Sequence, residues 1–163
     1  MTSPTFQTNG NGFTLVELLI VIGIFSVLTL IALPNFFGTI LPQLRLKGAA
    51  RDIITDMRYA RMRAASLNKE YRITFTEAAE QYQVEQGNKS SGSDLWTAEG
   101  VVRDFTDADT RYYHSGMDIV SVTSNPVYFK PTGSTTATSI TVQNEKGNTA
   151  VIRSSIAGRI KME

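Results

Sequence analysis

Hydrophobic positions follow one another almost without interruption near the N-terminus. The run extends from Leu18 to Leu33, and no charged residue occurs between Leu18 and Leu44. About 20 apolar residues in a helix, at about 1.5 Å each, cross the hydrocarbon core of a bilayer. A cleavable signal peptide is the alternative, but the segment before the run has no Lys or Arg, and no small-x-small site follows it. The pattern favours a retained membrane helix.

The next segment has the periodicity of an amphipathic helix. From Arg45 to Leu67 the apolar positions are spaced alternately by four and three residues, which places them on one helix face; they are Leu46, Ala50, Ile53, Met57, Ala60, Ala64 and Leu67. Several are alanines, so a sheet can approach closely. The opposite face is basic and carries Arg45, Lys47, Arg51, Arg58, Arg61 and Arg63.

After Asn68 the pattern changes to the two-residue alternation of β-strands. Residues 71–75 and 81–86 predict a hairpin, and 87–94 predict a polar loop. Further strands are predicted at 101–105, 118–123, 127–130, 139–143 and 150–154. A helix followed by antiparallel strands predicts an α+β fold, in which a long N-terminal helix, half membrane-spanning and half amphipathic, packs on antiparallel β-sheets.

One carboxylate, Glu17, lies at the start of the apolar run. An unpaired charge in hydrocarbon costs several kcal/mol, so Glu17 needs a partner or a special position. Thr14 to Glu17 has the S/T-x-x-E pattern of a capping box, and a carboxylate in the first turn also favours the positive end of the helix dipole. Helix capping alone therefore offers one explanation of this residue.

The stretch Gly12-Phe13-Thr14-Leu15-Val16-Glu17-Leu18 resembles the prepilin peptidase site of type IV pilins and type II secretion pseudopilins. The resemblance implies cleavage after Gly12 and N-methylation of Phe13. It implies that Glu17 pairs with the terminal amine of a neighbouring subunit, and that other pilins or pseudopilins bind through this helix. One departure is that the leader lacks the usual basic residue, which weakens the electrostatic support for its orientation.

This resemblance predicts three segments: a leader peptide at 1–12, a transmembrane and assembly helix at 13–37, and a periplasmic globular pilin domain at 38–163. The expected location is the bacterial inner membrane, crossed once, followed by assembly into a pilus or pseudopilus. The expected partners are prepilin peptidase, other subunits and the membrane.

Two prolines interrupt the predicted helix. Pro34, at the place where pilins have a proline, cannot donate a hydrogen bond to the carbonyl of Leu30, and Pro42 cannot donate to Gly38. We therefore expect the helix to bend or loosen between about Leu30 and Pro42. The prolines could equally end a membrane helix at the interface.

Near the C-terminus, Phe129-Lys130-Pro131-Thr132-Gly133 and later Gly158-Arg159-Ile160-Lys161 resemble motifs of the GspH/FimT group of minor pseudopilins. On physical grounds alone, Pro131 and Gly133 serve a turn, and Gly158 serves a bulge or a close approach. The resemblance implies a minor pilin or pseudopilin, at the tip or in the initiation complex of a type II secretion pseudopilus or a type IV pilus. Because some members of the group bind DNA, an alternative is a DNA receptor for uptake that uses Arg153, Arg159 and Lys161.

Composition adds few constraints. The chain has 163 residues, a formal net charge of +1 and no cysteine, which excludes disulfide scaffolds and thiolate zinc sites. Its single histidine, His114, lacks metal-ligand spacing and is predicted to be a packing or loop residue. Asp104, Asp107 and Asp109 form only a weak calcium-loop pattern. We find no catalytic constellation, cofactor motif or metal site, and therefore expect a protein that is not an enzyme.

Overall fold

The described part of the chain begins with three adjoining helical segments. A computed structural model describes residues 13–163. Helix α1 spans Leu15–Asn35, a π-helical segment spans Phe36–Ile40, and helix α2 spans Leu41–Leu67. The described residues form two compact units, 13–38 and 39–163.

Helix α2 buries the predicted apolar face with one exception. Leu46, Ala50, Ile53, Met57, Ala60 and Ala64 are buried, whereas Leu67 is 41% exposed. The prediction for Leu67 was wrong because the helix ends there: the next residue, Asn68, is left-handed, and its N–H donates to the carbonyl of Ala64. The helix extends beyond the amphipathic pattern of Arg45 to Leu67 and begins at Leu41, since Pro42 is accepted in its first turn, where no N–H donor is required.

Within residues 13–163 the chain forms nine β-strands. In chain order they are β1 (Tyr71–Thr76), β2 (Gln81–Gly87), β3 (Trp96–Ala98), β4 (Arg103–Asp104), β5 (Met117–Val122), β6 (Val127–Phe129), β7 (Thr138–Asn144), β8 (Thr149–Ser154) and β9 (Ile160–Met162). A short 3₁₀ turn, Glu77–Ala79, joins β1 to β2.

The strands form two antiparallel sheets in the described part of the chain. The first has the order β3-β2-β1-β6, with β4 also paired to β2, and the second has the order β5-β7-β8-β9. Strand β1 pairs in register with β2 through Ile73 and Val84, and with β6 through Tyr71 and Phe129. In the second sheet Arg153 of β8 lies directly opposite Lys161 of β9.

Most predicted strands occur within one or two residues of their expected bounds. The strand expected at 101–105 is shorter, because only Arg103–Asp104 pairs with β2. Sequence reasoning missed β3 and β9. Each has only three residues and none shows a run of alternating buried positions: β3 has no fully buried residue, and β9 has only Ile160.

The hydrophobic core lies between α2 and the two sheets. Helix α2 contacts β1, β2 and β6 of the first sheet and β5, β7, β8 and β9 of the second. All side chains of this core fall between Leu46 and Ile160. The unit 39–163 therefore has a complete core of its own, and the predicted α+β fold of a helix on antiparallel sheets is confirmed.

Candidate functional site

The N-terminal end of α1 combines a helix cap with an exposed carboxylate. The hydroxyl of Thr14 accepts a hydrogen bond from the N–H of Glu17 at 3.2 Å, as a capping residue does. Phe13 is 87% exposed, and the Glu17 side chain is also exposed. Gly12, the other residue of the predicted cleavage site, lies outside the described residues. Capping thus explains the threonine at position 14, whereas the Glu17 carboxylate is exposed and available to interact with another molecule.

The body of α1 suits a membrane. Among the described residues one helical stretch is long and apolar enough to cross a bilayer, with an 18-residue window of mean hydropathy 2.7 near the N-terminus and none of that window buried. Its polar hydroxyls are satisfied within the helix: Ser26 donates to the carbonyl of Ile22, and Thr29 to that of Phe25. Such internal pairing removes the cost of placing a hydroxyl in hydrocarbon.

The hydrogen-bonding pattern changes between the two prolines. Pro34 lies inside α1, Pro42 lies in the first turn of α2, and residues Phe36–Ile40 between them are π-helical. A π-helical turn is a recognised response to a disturbed i→i−4 ladder. The predicted loosening of the helix between Leu30 and Pro42 is therefore confirmed.

At the C-terminal hairpin the structure brings the three candidate DNA-binding residues to one exposed face. Arg153 and Lys161 lie opposite each other on β8 and β9, and Arg159 is on the same face as Lys161, since Ile160 between them is buried. However, Glu163 forms ion pairs with both Arg153, at 3.1 Å, and Lys161. Only Arg159 of these three makes no ion pair within residues 13–163.

The two glycine motifs of the C-terminal region meet at a side chain of α2. Arg61 Nε donates to the carbonyl of Gly133 at 2.9 Å. Gly158 lies against the same group: a Cβ there would be 2.6 Å from Arg61 Nε and 2.7 Å from Arg61 Cζ, and closer still to the Gly133 carbonyl oxygen. Both glycines have positive φ, +83° at Gly133 and +80° at Gly158. The motifs thus build one close-packed junction around Arg61.

This junction corrects the predicted basic face of α2. Arg61 and Arg63 are only half-exposed, and each has a partner: Arg61 binds the Gly133 carbonyl, and Arg63 Nε binds a carboxylate oxygen of Glu99 at 3.1 Å. The spacing of charged residues could not reveal this, because both positions border the apolar stripe. The feature of the sequence that could have indicated these contacts was the pair of glycines, Gly133 and Gly158, which permit a close approach of the Arg61 side chain.

Sequence reasoning missed a buried polar network between α2 and the first sheet. Arg103 is 6% exposed and donates from Nε to Asp56 at 2.9 Å, while the Tyr82 hydroxyl donates to the same carboxylate oxygen at 3.0 Å. A second guanidinium nitrogen of Arg103 donates to the carbonyls of Glu99 and Val101. Burial raises the pKa of Tyr82, and the nearby Asp56 carboxylate raises it further. The arrangement is structural, since these groups satisfy one another.

An ion pair between Arg72 and Glu85 lies on the outer face of the first sheet. Arg72 donates to both carboxylate oxygens of Glu85, at 2.7 and 3.3 Å, and its guanidinium stacks on the Trp96 ring at 4.4 Å. Burial opposes ionisation of Glu85, but hydrogen bonds from Arg72 and Thr74 outweigh it, so the pKa of Glu85 is lower than its usual value. This pair supplies a pH-dependent contribution to stability.

His114 is a packing residue, as predicted. Its ring packs edge-on against Phe105 with centroids 5.1 Å apart, and Nε2 lies 2.8 Å from Oδ2 of Asp52 on α2. Across residues 13–163, no group of three or more His, Cys, Asp or Glu side chains is arranged to hold a metal ion.

The aspartates after β4 shape their own loop. Asp104 accepts from the backbone N–H groups of Thr106 and Asp107, and Asp107 accepts from that of Asp109. These contacts are the side-chain turns that aspartates form in loops. They explain Asp104 and Asp107 as turn-forming residues.

Comparison with models of protein families shows to which family this chain belongs. Residues 49–158, which run from α2 to the Gly158 junction, match the family model of the type II transport protein GspH. The chain belongs to the GspH family. Residues 8–33 also match the prokaryotic N-terminal methylation motif. The resemblance inferred from the two short motifs is thereby confirmed.

Solved structures of the same class share the GspH fold. The minor pseudopilin EpsH of the Vibrio cholerae type 2 secretion system is 9% identical and superposes with a TM-score of 0.56 over 73% of this chain and 96% of EpsH. GspH of E. coli is 15% identical, with a TM-score of 0.57 over 74% of this chain and 88% of that one. The type IV minor pilin FimU of Pseudomonas aeruginosa is 16% identical, with a TM-score of 0.52 over 74% of this chain and 90% of FimU. No curated protein matches the chain.

Membership of the GspH family gives the general function. The chain is a minor pilin or pseudopilin, a structural subunit of a pseudopilus or pilus that assembles with other subunits of this class. The methylation motif and the apolar helix indicate a membrane-anchored subunit, and the motif implies processing by prepilin peptidase. The comparisons do not support a role in DNA binding.

Proposed function

We propose that the chain is made as a precursor, cut between Gly12 and Phe13, and methylated at the new terminal amine. Residues 1–12 are then the leader, 13–37 the transmembrane and assembly helix, and 38–163 a periplasmic pilin domain. The helix crosses the inner membrane once, and the subunit enters the tip or initiation complex of a type II secretion pseudopilus or type IV pilus. Its action is assembly rather than catalysis.

One observation carries this proposal. The methylation motif at 8–33 coincides with a helix whose apolar side chains are exposed along its entire length in the single chain. An apolar surface of this extent is stable only in lipid or against other apolar helices. The motif and the helix therefore support one sequence of events: membrane insertion, processing, and lateral packing into a filament.

Glu17 has the central role in that packing. Its carboxylate makes no ion pair within the described residues. In a bundle of such helices, the methylated amine of Phe13 on a neighbouring subunit provides the missing positive charge. The pairing offsets the desolvation of both groups and favours one axial register, because any other register leaves a charge unpaired in an apolar environment. Pro34 lies at the other end of α1, before the π-helical segment, and we propose that this loosening helps the helix to fit its neighbours.

The processing step is tested by mass spectrometry of the chain purified from membranes of cells that contain a prepilin peptidase. We expect an N-terminus at Phe13 that carries one extra methyl group. Cells without the peptidase provide the control and should contain the precursor with Gly12 retained. A mature chain that starts at another residue contradicts the proposal.

The role of Glu17 is separated from helix capping by two variants. Glu17→Gln removes the charge and preserves the shape, whereas Thr14→Ala removes the cap and preserves the charge. We expect both variants to be processed, but only Glu17→Gln to be absent from sheared filaments or from crosslinked complexes with other subunits. If Thr14→Ala abolishes assembly as completely as Glu17→Gln, the carboxylate acts only on its own helix, and the pairing model is wrong.

A DNA-receptor function rests on the shared exposed face of Arg153, Arg159 and Lys161. Its support is weaker, because Glu163 forms ion pairs with two of the three cations and its negative charge offsets one of the positive charges of this face. If the face binds DNA, affinity for duplex DNA must fall with salt, since phosphate binding releases counterions. Neutral Gln variants at the three positions should abolish binding, and Lys89→Gln should not. Absence of binding at low salt removes this alternative.

A further inference from the structure

Strand β3 forms a free edge of the first sheet. Leu95 and Glu99, which flank this strand, are hydrogen-bonded to the β2 side at 3.2 and 2.8 Å, and Thr97 between them pairs with β2 in register. Because bonding alternates along an antiparallel pair, the backbone N–H and C=O groups of Trp96 and Ala98 point away from β2. Within residues 13–163 no other strand pairs with them. We call this open side of residues 95–99 the β3 edge.

The edge of β5, in contrast, is covered by side chains of the β1–β2 turn. The N–H of Ile119 donates to the carboxylate of Glu80. The N–H of Val122 donates to the carboxylate of Glu77 at 2.9 Å. These carboxylates occupy backbone donors that a further strand would need, so β5 is protected from pairing with another chain.

The remaining edges in the described part of the chain are covered, charged or very short. Residues 134–136 lie along β6 on the side opposite β1, with the N–H of Thr136 2.9 Å from the carbonyl of Tyr128. Strand β9 has Lys161 at its centre, in an ion pair with Glu163. A charged side chain on an edge strand opposes the approach of another strand. Strand β4, which follows β3 along β2, has only two residues.

The side chains beside the β3 edge are apolar rather than protective. Residues 95–102 contain no proline and a single charged residue, Glu99, which forms an ion pair with Arg63 on α2. Leu95 is 69% exposed and Val101 66% exposed. Lysine and proline are the residues by which edge strands usually avoid pairing. Open backbone groups next to exposed apolar side chains therefore indicate a surface that binds another chain.

Hydrogen bonds fix the conformation of the β3 edge and of the segment that follows it. Arg103 donates to the carbonyls of Glu99 and Val101 at 3.0 and 2.7 Å. The N–H of Leu95 donates to the side-chain oxygen of Asn88 at 3.3 Å. A partner therefore meets an ordered edge, and little conformational entropy is lost on this side of the contact.

We propose that the β3 edge binds an extended segment of a different subunit of the pilus or pseudopilus by β-strand addition. An extended backbone presents C=O and N–H groups at the spacing of those of Trp96 and Ala98. The exposed Leu95 and Val101 favour apolar side chains next to that backbone. The proposal rests on the proposed assembly function and deepens it by assigning a surface and a kind of partner. The partner is a different subunit because the tip or initiation complex joins this chain to subunits of other kinds.

Amide hydrogen exchange tests this contact. The isotopically labelled full-length chain, in detergent micelles, is measured alone and with each of the other pilin-class subunits encoded by the same genome. We expect one of them to slow exchange at Trp96 and Ala98 about tenfold or more. Ile160 and Met162 provide the control, since their N–H groups point outward on β9 in the same way, and their exchange should not change.

Proline at an outward position separates strand addition from folding. Ala98→Pro removes an N–H that β2 does not use, so the chain should still fold but lose the protection at Trp96. Met162→Pro makes the same change on β9 and should leave that protection intact. Urea unfolding checks that both variants are folded. If Ala98→Pro does not fold, Ala98→Lys places a charge on the β3 edge instead and should prevent the contact.

Three results overturn the inference. They are unchanged exchange at Trp96 and Ala98 with every subunit, protection that survives in a folded Ala98 variant, and protection that rises with the concentration of this chain alone, which would make a second copy the partner. Each can occur while cleavage before Phe13 and the dependence of assembly on Glu17 persist. Failure of this contact is therefore distinguishable from failure of the proposed function.

Discussion

Replacing Gly158 with alanine tests the junction between the C-terminal motifs and α2. The change adds one methyl group at a position with φ of +80°, directed at Arg61 and at the carbonyl of Gly133. The carbonyl belongs to the backbone of a tight turn, so it cannot move as a flexible side chain does. We therefore expect the substitution to open the junction and to break the hydrogen bond from Arg61 to Gly133.

The expected loss of stability follows from two contributions. A left-handed conformation costs an alanine about 1–2 kcal/mol. Loss of a hydrogen bond from a charged donor costs about 1.5–3 kcal/mol more. The free energy of unfolding of Gly158→Ala should thus fall by about 2.5–5 kcal/mol.

The chain contains a matched control for the backbone contribution. Gly92 also has a positive φ, +65°, but a Cβ there meets nothing within 4 Å. Gly92→Ala should therefore cost only about 1–2 kcal/mol. Urea unfolding of the unit 39–163, extrapolated to water, measures both variants. If Gly158→Ala is no more destabilising than Gly92→Ala, the close packing around Arg61 does not contribute to stability, and the reasoning is refuted.

Three further predictions concern the core and the ion pairs. Asp56→Ala leaves Arg103 buried and unpaired and should cost about 3–5 kcal/mol in urea unfolding, whereas Asp56→Leu with Arg103→Met should be closer to the unmodified protein. Because the pKa of Glu85 is lower in the folded protein, ionised Glu85 stabilises the fold at pH values above the unfolded-state pKa, and this contribution is lost as the pH falls through the folded-state pKa. Glu85→Gln should therefore flatten the dependence of the unfolding free energy on pH in this range. An unchanged dependence contradicts the assignment. Ala60→Leu should cost about 1–3 kcal/mol by overpacking against the sheets, whereas Ala65→Leu on the exposed face should cost little.

The sequence determined the features that depend on local pattern. The three-four spacing from Leu46 to Ala64 fixed the buried face of α2, and two-residue alternation located the longer strands. Thr14 was recognisable as a cap because its hydroxyl needs only the N–H three residues later. Pro34 and Pro42 predicted the loosened helix, because each lacks an N–H donor whatever its surroundings.

Tertiary structure decided the features that join distant parts of the chain. Asp56 pairs with Arg103, and Arg61 with Gly133, across long separations in sequence that no periodicity records. Leu67 was expected to be buried, but the helix ends before a partner surface reaches it. The short edge strands β3 and β9 form because neighbouring strands already present unpaired backbone groups. Local sequence thus fixed which side of each element is apolar, whereas only folding could determine which charged groups meet and which stay unpaired for a partner.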